Sequence, residues 1–124
     1  MRTKSRVLTE QELEIMKVIW ELKAVTVRHV YEALLMRRKI AYTTVMTMMG
    51  ILEDKGYLKK EARDRAYVYR PAQAKTEVLR AMLKDFVARV FNGSAEPLLV
   101  QLVKDRYVSP QDLEKIARAI KESA

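Results

Sequence analysis

Thirty residues, Ala41 to Arg70 (AYTTVMTMMGILEDKGYLKKEARDRAYVYR), constrain the fold of this chain more than any other part. Val45, Met48, Met49 and Leu52 recur at the 3.6-residue period of a buried helix face. Thr43, Thr44 and Thr47 make the front of that helix polar. Gly56 follows it, and glycine accepts the left-handed backbone that stops a helix. Two short β-like runs come next, Tyr57 to Ala62 and Arg65 to Arg70, with Arg63-Asp64 expected at the tip. On the second run Ala66 and Val68 point one way, and Tyr67 and Tyr69 the other. Pro71 has no N–H for a ladder, so the pairing is expected to end there. The segment therefore reads as helix, stop and basic hairpin.

Two more helices precede it. Thr9 and Glu12 have the spacing of a capping box, in which each side chain caps the other's backbone N–H. Leu13, Met16, Val18, Ile19, Trp20 and Leu22 then give a helical apolar stripe. Residues 23–25 make a short connection, with a bridge of strand expected at Val25. Thr26 is placed to N-cap a second helix, from Val27 to about Met36, with Val27, Val30, Tyr31 and Leu34 inward. Three helices and a hairpin within about 62 residues form a winged helix-turn-helix. The third helix can enter a major groove, and the hairpin can reach flanking phosphates or the minor groove.

Residues 73–124 are helical again and are expected to form a second domain after a winged domain at 1–72. From about Lys75, Leu79, Leu83, Phe86 and Val90 give a broad apolar face that Asn92-Gly93 ends. Glu96 to about Arg106 carries Leu98, Leu99 and Leu102. Ser109-Pro110-Gln111-Asp112 opens the last helix, with a capping serine, a proline at the first position and an acidic residue at the third. Leu113 and Ile116 lie on one face of it. Helices this apolar lack a partner in so short a chain, so a second copy is the expected one, and a two-fold dimer matches a palindromic DNA site. The alternative is that they fold back on the winged domain. The fold expected is mainly α with a small β-hairpin wing, a winged helix-turn-helix followed by a helical dimerisation domain.

Charge agrees with a polyanionic partner. The formal net charge is +8, with 15 basic and 9 acidic side chains in residues 1–71 against 9 and 7 in the remainder. With no cysteine and one histidine, His29, the chain has no thiolate or zinc site, and no cofactor or metal is expected. No triad, paired-carboxylate or phosphate-loop motif points to an enzyme. No run approaches the ~18 apolar residues of a membrane span, so a cytoplasmic protein without membrane insertion is expected.

The chain resembles the penicillinase-repressor (BlaI/MecI) family of winged-helix repressors, which includes copper-responsive members. The opening LTEQELEIMKVIWELKAVTVRHVYEAL, the groove-helix segment AYTTVMTMMGILEDKGYL, the hairpin AYVYRP and the later FNGSAEPLLVQLVKD carry the resemblance, in order, over nearly the whole length. It implies a homodimeric repressor of a resistance or stress-type operon that binds an inverted-repeat operator in double-stranded DNA and is relieved by an inducer pathway. It also implies a membrane-bound sensor protease as a partner. Where such relatives are cut, at Asn-Phe, this chain has Gln101-Leu102. The copper-sensing members use cysteines that are absent here.

On that resemblance Thr43, Thr44 and Thr47 should reach bases, through hydroxyls or through methyls packed on thymine methyls. Arg28 and Tyr42 should position the backbone. Arg63, Arg65 and Lys59 or Lys60 should contact phosphate or the minor groove. The plainer alternatives are a cap with a surface face for the threonines and a solvated strand edge for the lysines. Dimerisation is expected through Leu79, Leu83, Phe86, Val90, Leu98, Leu99, Leu102, Leu113 and Ile116. A winged-helix protein-interaction module and a small-molecule-responsive regulator of another winged-helix group stay open as alternative functions.

Overall fold

The computed structural model describes residues 7–123. Six helices and one hairpin run in the order α1 (Glu10–Leu22), α2 (Val27–Leu35), α3 (Tyr42–Asp54), β1 (Leu58–Arg63), β2 (Ala66–Pro71), α4 (Lys75–Val90), α5 (Glu96–Lys104) and α6 (Pro110–Ser123). The chain forms two compact units that part between Met82 and Leu83. The first turns of α4 therefore belong with the first unit, where Val78 is buried in its core.

Local chemistry starts the first two helices. The Thr9 N–H donates to the Glu12 carboxylate at 2.9 Å, and the Glu12 N–H donates to the Thr9 hydroxyl at 3.1 Å. At α2 the Thr26 N–H donates to His29 Nδ1 at 3.1 Å and the His29 N–H returns to the Thr26 hydroxyl at 3.2 Å. The lone histidine thus completes a second capping box. Ile15, Met16 and Ile19 of α1, Val30 and Leu34 of α2, and Val45, Met49 and Leu52 of α3 form the centre of the core. Met48 is half-buried against it. The buried stripe of α1 differs from the one the sequence suggests, since Ile15 is fully inside and Leu22 is half exposed. Leu22 stands three residues after Ile19 and so on the same side, but it is the last residue of α1, where the chain turns off at Lys23 with φ +77.

The hairpin is antiparallel, with Lys60 opposite Tyr69 and Arg63 opposite Ala66. Its tip is Asp64-Arg65, one residue later than expected. The turn needs a left-handed residue, and Asp64 has φ +57, a region aspartate enters more readily than most residues. Pairing also runs one step beyond Pro71, because the Ala72 N–H donates to the Tyr57 carbonyl at 2.8 Å while Pro71 sits where no donor is needed. Val25 bridges Tyr69, as the sequence suggests, through bonds of 3.0 and 2.7 Å. That bridge ties the wing to the link between α1 and α2.

One charged pair lies inside this unit. Glu12 is 5% exposed, and its two carboxylate oxygens accept from Lys55 Nζ at 2.8 and 3.0 Å. Lys55 ends α3, so the pair fixes the end of α3 to the start of α1. Burial pushes the Glu12 carboxyl up, but the Lys55 ammonium and the Thr9 N–H outweigh it and leave the group below its ordinary value. A carboxyl whose pKa is depressed by folding adds stability above its unfolded pKa, about 4.3. That stability is lost as pH falls through the folded value. Glu12→Gln should therefore cost about 2–3 kcal/mol at pH 7, near the lower end of the range for breaking a buried pair, because Lys55 keeps some access to water. Denaturant melts at several pH values check this. The gap to the unsubstituted protein should close below about pH 4, and a gap independent of pH would exclude the pair as its source.

The second unit has its own punctuation. Asn92 at φ +53 and Gly93 at φ +88 end α4, and the Gly93 N–H donates to the Val87 carbonyl at 3.0 Å. Ser109 and Asp112 exchange capping bonds of 3.1 and 2.9 Å at the start of α6. No residue of α5 or α6 is buried. Leu83, Phe86, Val90, Leu99 and Ile116 are each at least 40% exposed, while Leu98, Leu102 and Leu113 are half-buried. Leu79, just before this unit, is exposed as well.

Candidate nucleic-acid interface

The outer surface of α3 follows from its inner one. Val45, Met49 and Leu52 point into the core, so the helical period turns Thr43, Thr47 and Gly50 away from it. Thr43, Thr44 and Thr47 are all exposed. Among the described residues none of their hydroxyls is held by a hydrogen bond within the protein. Gly50 lies one turn further on, and a Cβ there would meet nothing within 4 Å. The result is a low ridge of small side chains with free hydroxyls. Ala41 leaves the start of α3 without a side-chain cap.

Tyr42 and Arg28 come together beside that start. The Tyr42 ring packs edge-on against Tyr31 at 5.3 Å between centroids, and the Arg28 guanidinium lies 5.8 Å from its centroid. Arg28 also pairs with Glu32 at 3.6 Å, with both side chains largely in water. The two residues link the first turns of α2 and α3 while still reaching the surface.

The wing cations are not equivalent. Lys59 and Arg65 are exposed and, among the described residues, have no ion pair. Arg63 lies 3.6 Å from Glu61, with both side chains more than half exposed. Such a pair contributes little and is easily exchanged for another anion. Lys60 is engaged from several sides. Its ammonium lies 3.5 Å from Glu53 of α3, 4.3 Å from the centroid of the Tyr67 ring and 6.0 Å from that of Tyr69. Tyr69 and Glu53 hold its pKa above the usual lysine value.

Met46 is not singled out by the sequence. It is 47% exposed. The phase of Val45, Met49 and Leu52 is the signal that excludes it from the core. Position alone could have found it, because it lies three residues after Thr43 and four before Gly50. Ile51 is likewise 40% exposed. Gln101 and Leu102 lie inside α5, where the Gln101 amide donates to Asp105 at 2.8 Å. Among the described residues no group of three or more metal-binding side chains gathers, and no helix is long and apolar enough to cross a membrane.

Comparison with known proteins places this geometry among relatives. The sequence profile of the family described as Penicillinase repressor matches residues 8–122. A transcriptional regulator BlaI of Mycobacterium tuberculosis is 33% identical over 117 residues, covering 93% of this chain and 83% of its own length. A penicillinase repressor of Bacillus licheniformis is 24% identical over 115 residues, covering 93% and 90%. Among solved structures, the DNA binding domain of the repressor BlaI superposes with a TM-score of 0.54 at 29% identity, covering 61% of this chain and 93% of that domain.

Proposed function

The chain belongs to the penicillinase repressor family, and on that premise we propose that it represses transcription as a homodimer on an inverted-repeat operator in duplex DNA. The observation that carries this reading is the outer surface of α3. Three threonine hydroxyls without a partner among the described residues stand on the helix that directly precedes a hairpin with two cations, Lys59 and Arg65, that have no ion pair among them. Groups left free within the protein are available to a partner. Small hydroxyl side chains suit base edges, and flanking cations suit phosphates. The solved relative is described as a DNA binding domain, and its superposition covers 61% of this chain.

In this reading Thr43, Thr44 and Thr47 read bases, and Met46 packs its thioether against a thymine methyl beside them. Arg28, Lys59, Arg63 and Arg65 neutralise phosphates, and Tyr42 orients Arg28. The second unit supplies the dimer, since Leu83, Phe86, Val90, Leu99 and Ile116 stay exposed on it. A two-fold pair of α3 helices then matches a two-fold operator.

Salt dependence tests the electrostatic half of this proposal. About four phosphates neutralised per protomer predict a slope near −7 for log K against log salt, at about −0.9 per phosphate. Arg65→Ala should flatten the slope by roughly 2 for the dimer and leave sequence preference intact. Titrations of labelled duplex at several salt concentrations measure it. A slope shallower than about −2 would contradict a nucleic-acid function and favour a winged-helix module that binds protein.

A further inference from the structure

Of the cations on the wing, Lys60 alone among the described residues forms an ion pair with α3. Its partner there, Glu53, lies in the last turn of the helix. Its other contacts are the two tyrosine rings of β2. Those rings differ in character. Tyr69 is 5% exposed, part of the core, and bridged through its backbone to Val25, whereas Tyr67 is 51% exposed. The ammonium therefore spans a fixed ring, a surface ring and the end of the recognition helix. Lysine has one charge centre on a flexible stem, and an ammonium held by a carboxylate and a ring face gives up those contacts if it turns to a phosphate. Arg65, at the tip of the same hairpin, has no such hold.

We propose that Lys60 is a positioning residue that sets the angle of the wing against α3 through Glu53, Tyr67 and Tyr69, and that it does not neutralise a phosphate. The inference rests on the DNA-binding reading above and assigns a different duty to one of the residues in that surface. It makes the wing and α3 one docking unit. Arg65 reaches its phosphate only while the clasp holds the hairpin at the right angle.

The test uses the full-length protein and a palindromic operator duplex. Lys60→Met keeps the stem and removes the charge. If Lys60 positions the wing, operator affinity falls about tenfold and the salt slope flattens by about 1.8, because the Arg65 contact of each protomer is lost with it. The further penalty of Arg65→Ala should then shrink to less than half in the Lys60→Met background, because the tip is no longer delivered. Lys60 and Arg65 lie some three residue pairs apart along the hairpin, far enough that independent contacts would add. Tyr67→Leu removes a ring and leaves the charge. It should lower affinity in the same direction, less than additively with Lys60→Met. Both variants should melt far above the assay temperature, which separates positioning from loss of fold. Three results would overturn the proposal: a slope flattened by about 3.6 in Lys60→Met/Arg65→Ala, as expected if Lys60 and Arg65 each neutralise a phosphate of their own in both protomers; unchanged affinity; or full additivity with Arg65→Ala. If the unsubstituted protein shows no salt-dependent operator binding, the functional reading itself fails first.

Discussion

Leu83→Glu combined with Ile116→Glu should make the protein monomeric at micromolar concentration and lower its affinity for a palindromic operator about a thousandfold, or about 4 kcal/mol. The two side chains are 56% and 50% exposed, so charge at either costs the isolated chain little. They sit on different helices of a unit in which neither α5 nor α6 buries a residue. In a dimer, covering a Leu-sized side chain contributes roughly 1.5–3 kcal/mol, and two-fold symmetry counts each substitution twice. Four carboxylates placed in such an interface remove that contribution and add unpaired buried charge. A monomer then binds one half-site and loses the linkage that makes two half-sites act together. Sedimentation should fall from about twice the chain mass to the chain mass. Helix content by circular dichroism should hold. A dimer that survives both substitutions would show that the apolar surface of α4 to α6 serves something else.

The parts of this fold that were legible in sequence are those governed by local chemistry. Thr9 with Glu12, and Ser109 with Asp112, are capping boxes because partners three residues apart meet at any helix start. Gly56 and Asn92-Gly93 stop their helices with positive φ, as their residue types suggest. The inward phase of α3 was legible from its period. What the sequence did not disclose depends on residues brought together by the fold. Glu12 read only as a capping residue, yet its carboxylate is buried because Lys55, 43 positions later, comes within hydrogen-bond reach of it. His29 offers no zinc site in the sequence, and its place opposite Thr26 in a capping box was not legible there because histidine is not the usual residue at that third helical position. The hairpin tip moved by one residue because register follows which residue accepts the left-handed turn, not which dipeptide looks polar. Lys59 and Lys60 are indistinguishable as a basic pair in sequence. Strand alternation sends them to opposite faces, and only Lys60 meets Glu53 and the tyrosines.

Replacing both Thr44 and Thr47 by alanine should cost about 2–6 kcal/mol of operator affinity per protomer, at roughly 1–3 kcal/mol for each lost base contact. It should cost no stability. Both residues are exposed, neither hydroxyl is engaged among the described residues, and alanine is the better helix former. Affinity for scrambled duplex DNA should barely change, because Arg28, Lys59, Arg63 and Arg65 remain to meet its phosphates. The claim that the outer surface of α3 reads sequence therefore rests on one pair of binding curves for Thr44→Ala/Thr47→Ala, one on the palindromic operator and one on scrambled DNA, with a melting curve alongside. The account predicts a large loss on the operator alone, at an unchanged or higher melting temperature. Equal losses on both duplexes, or a loss explained by a lower melting temperature, would contradict it.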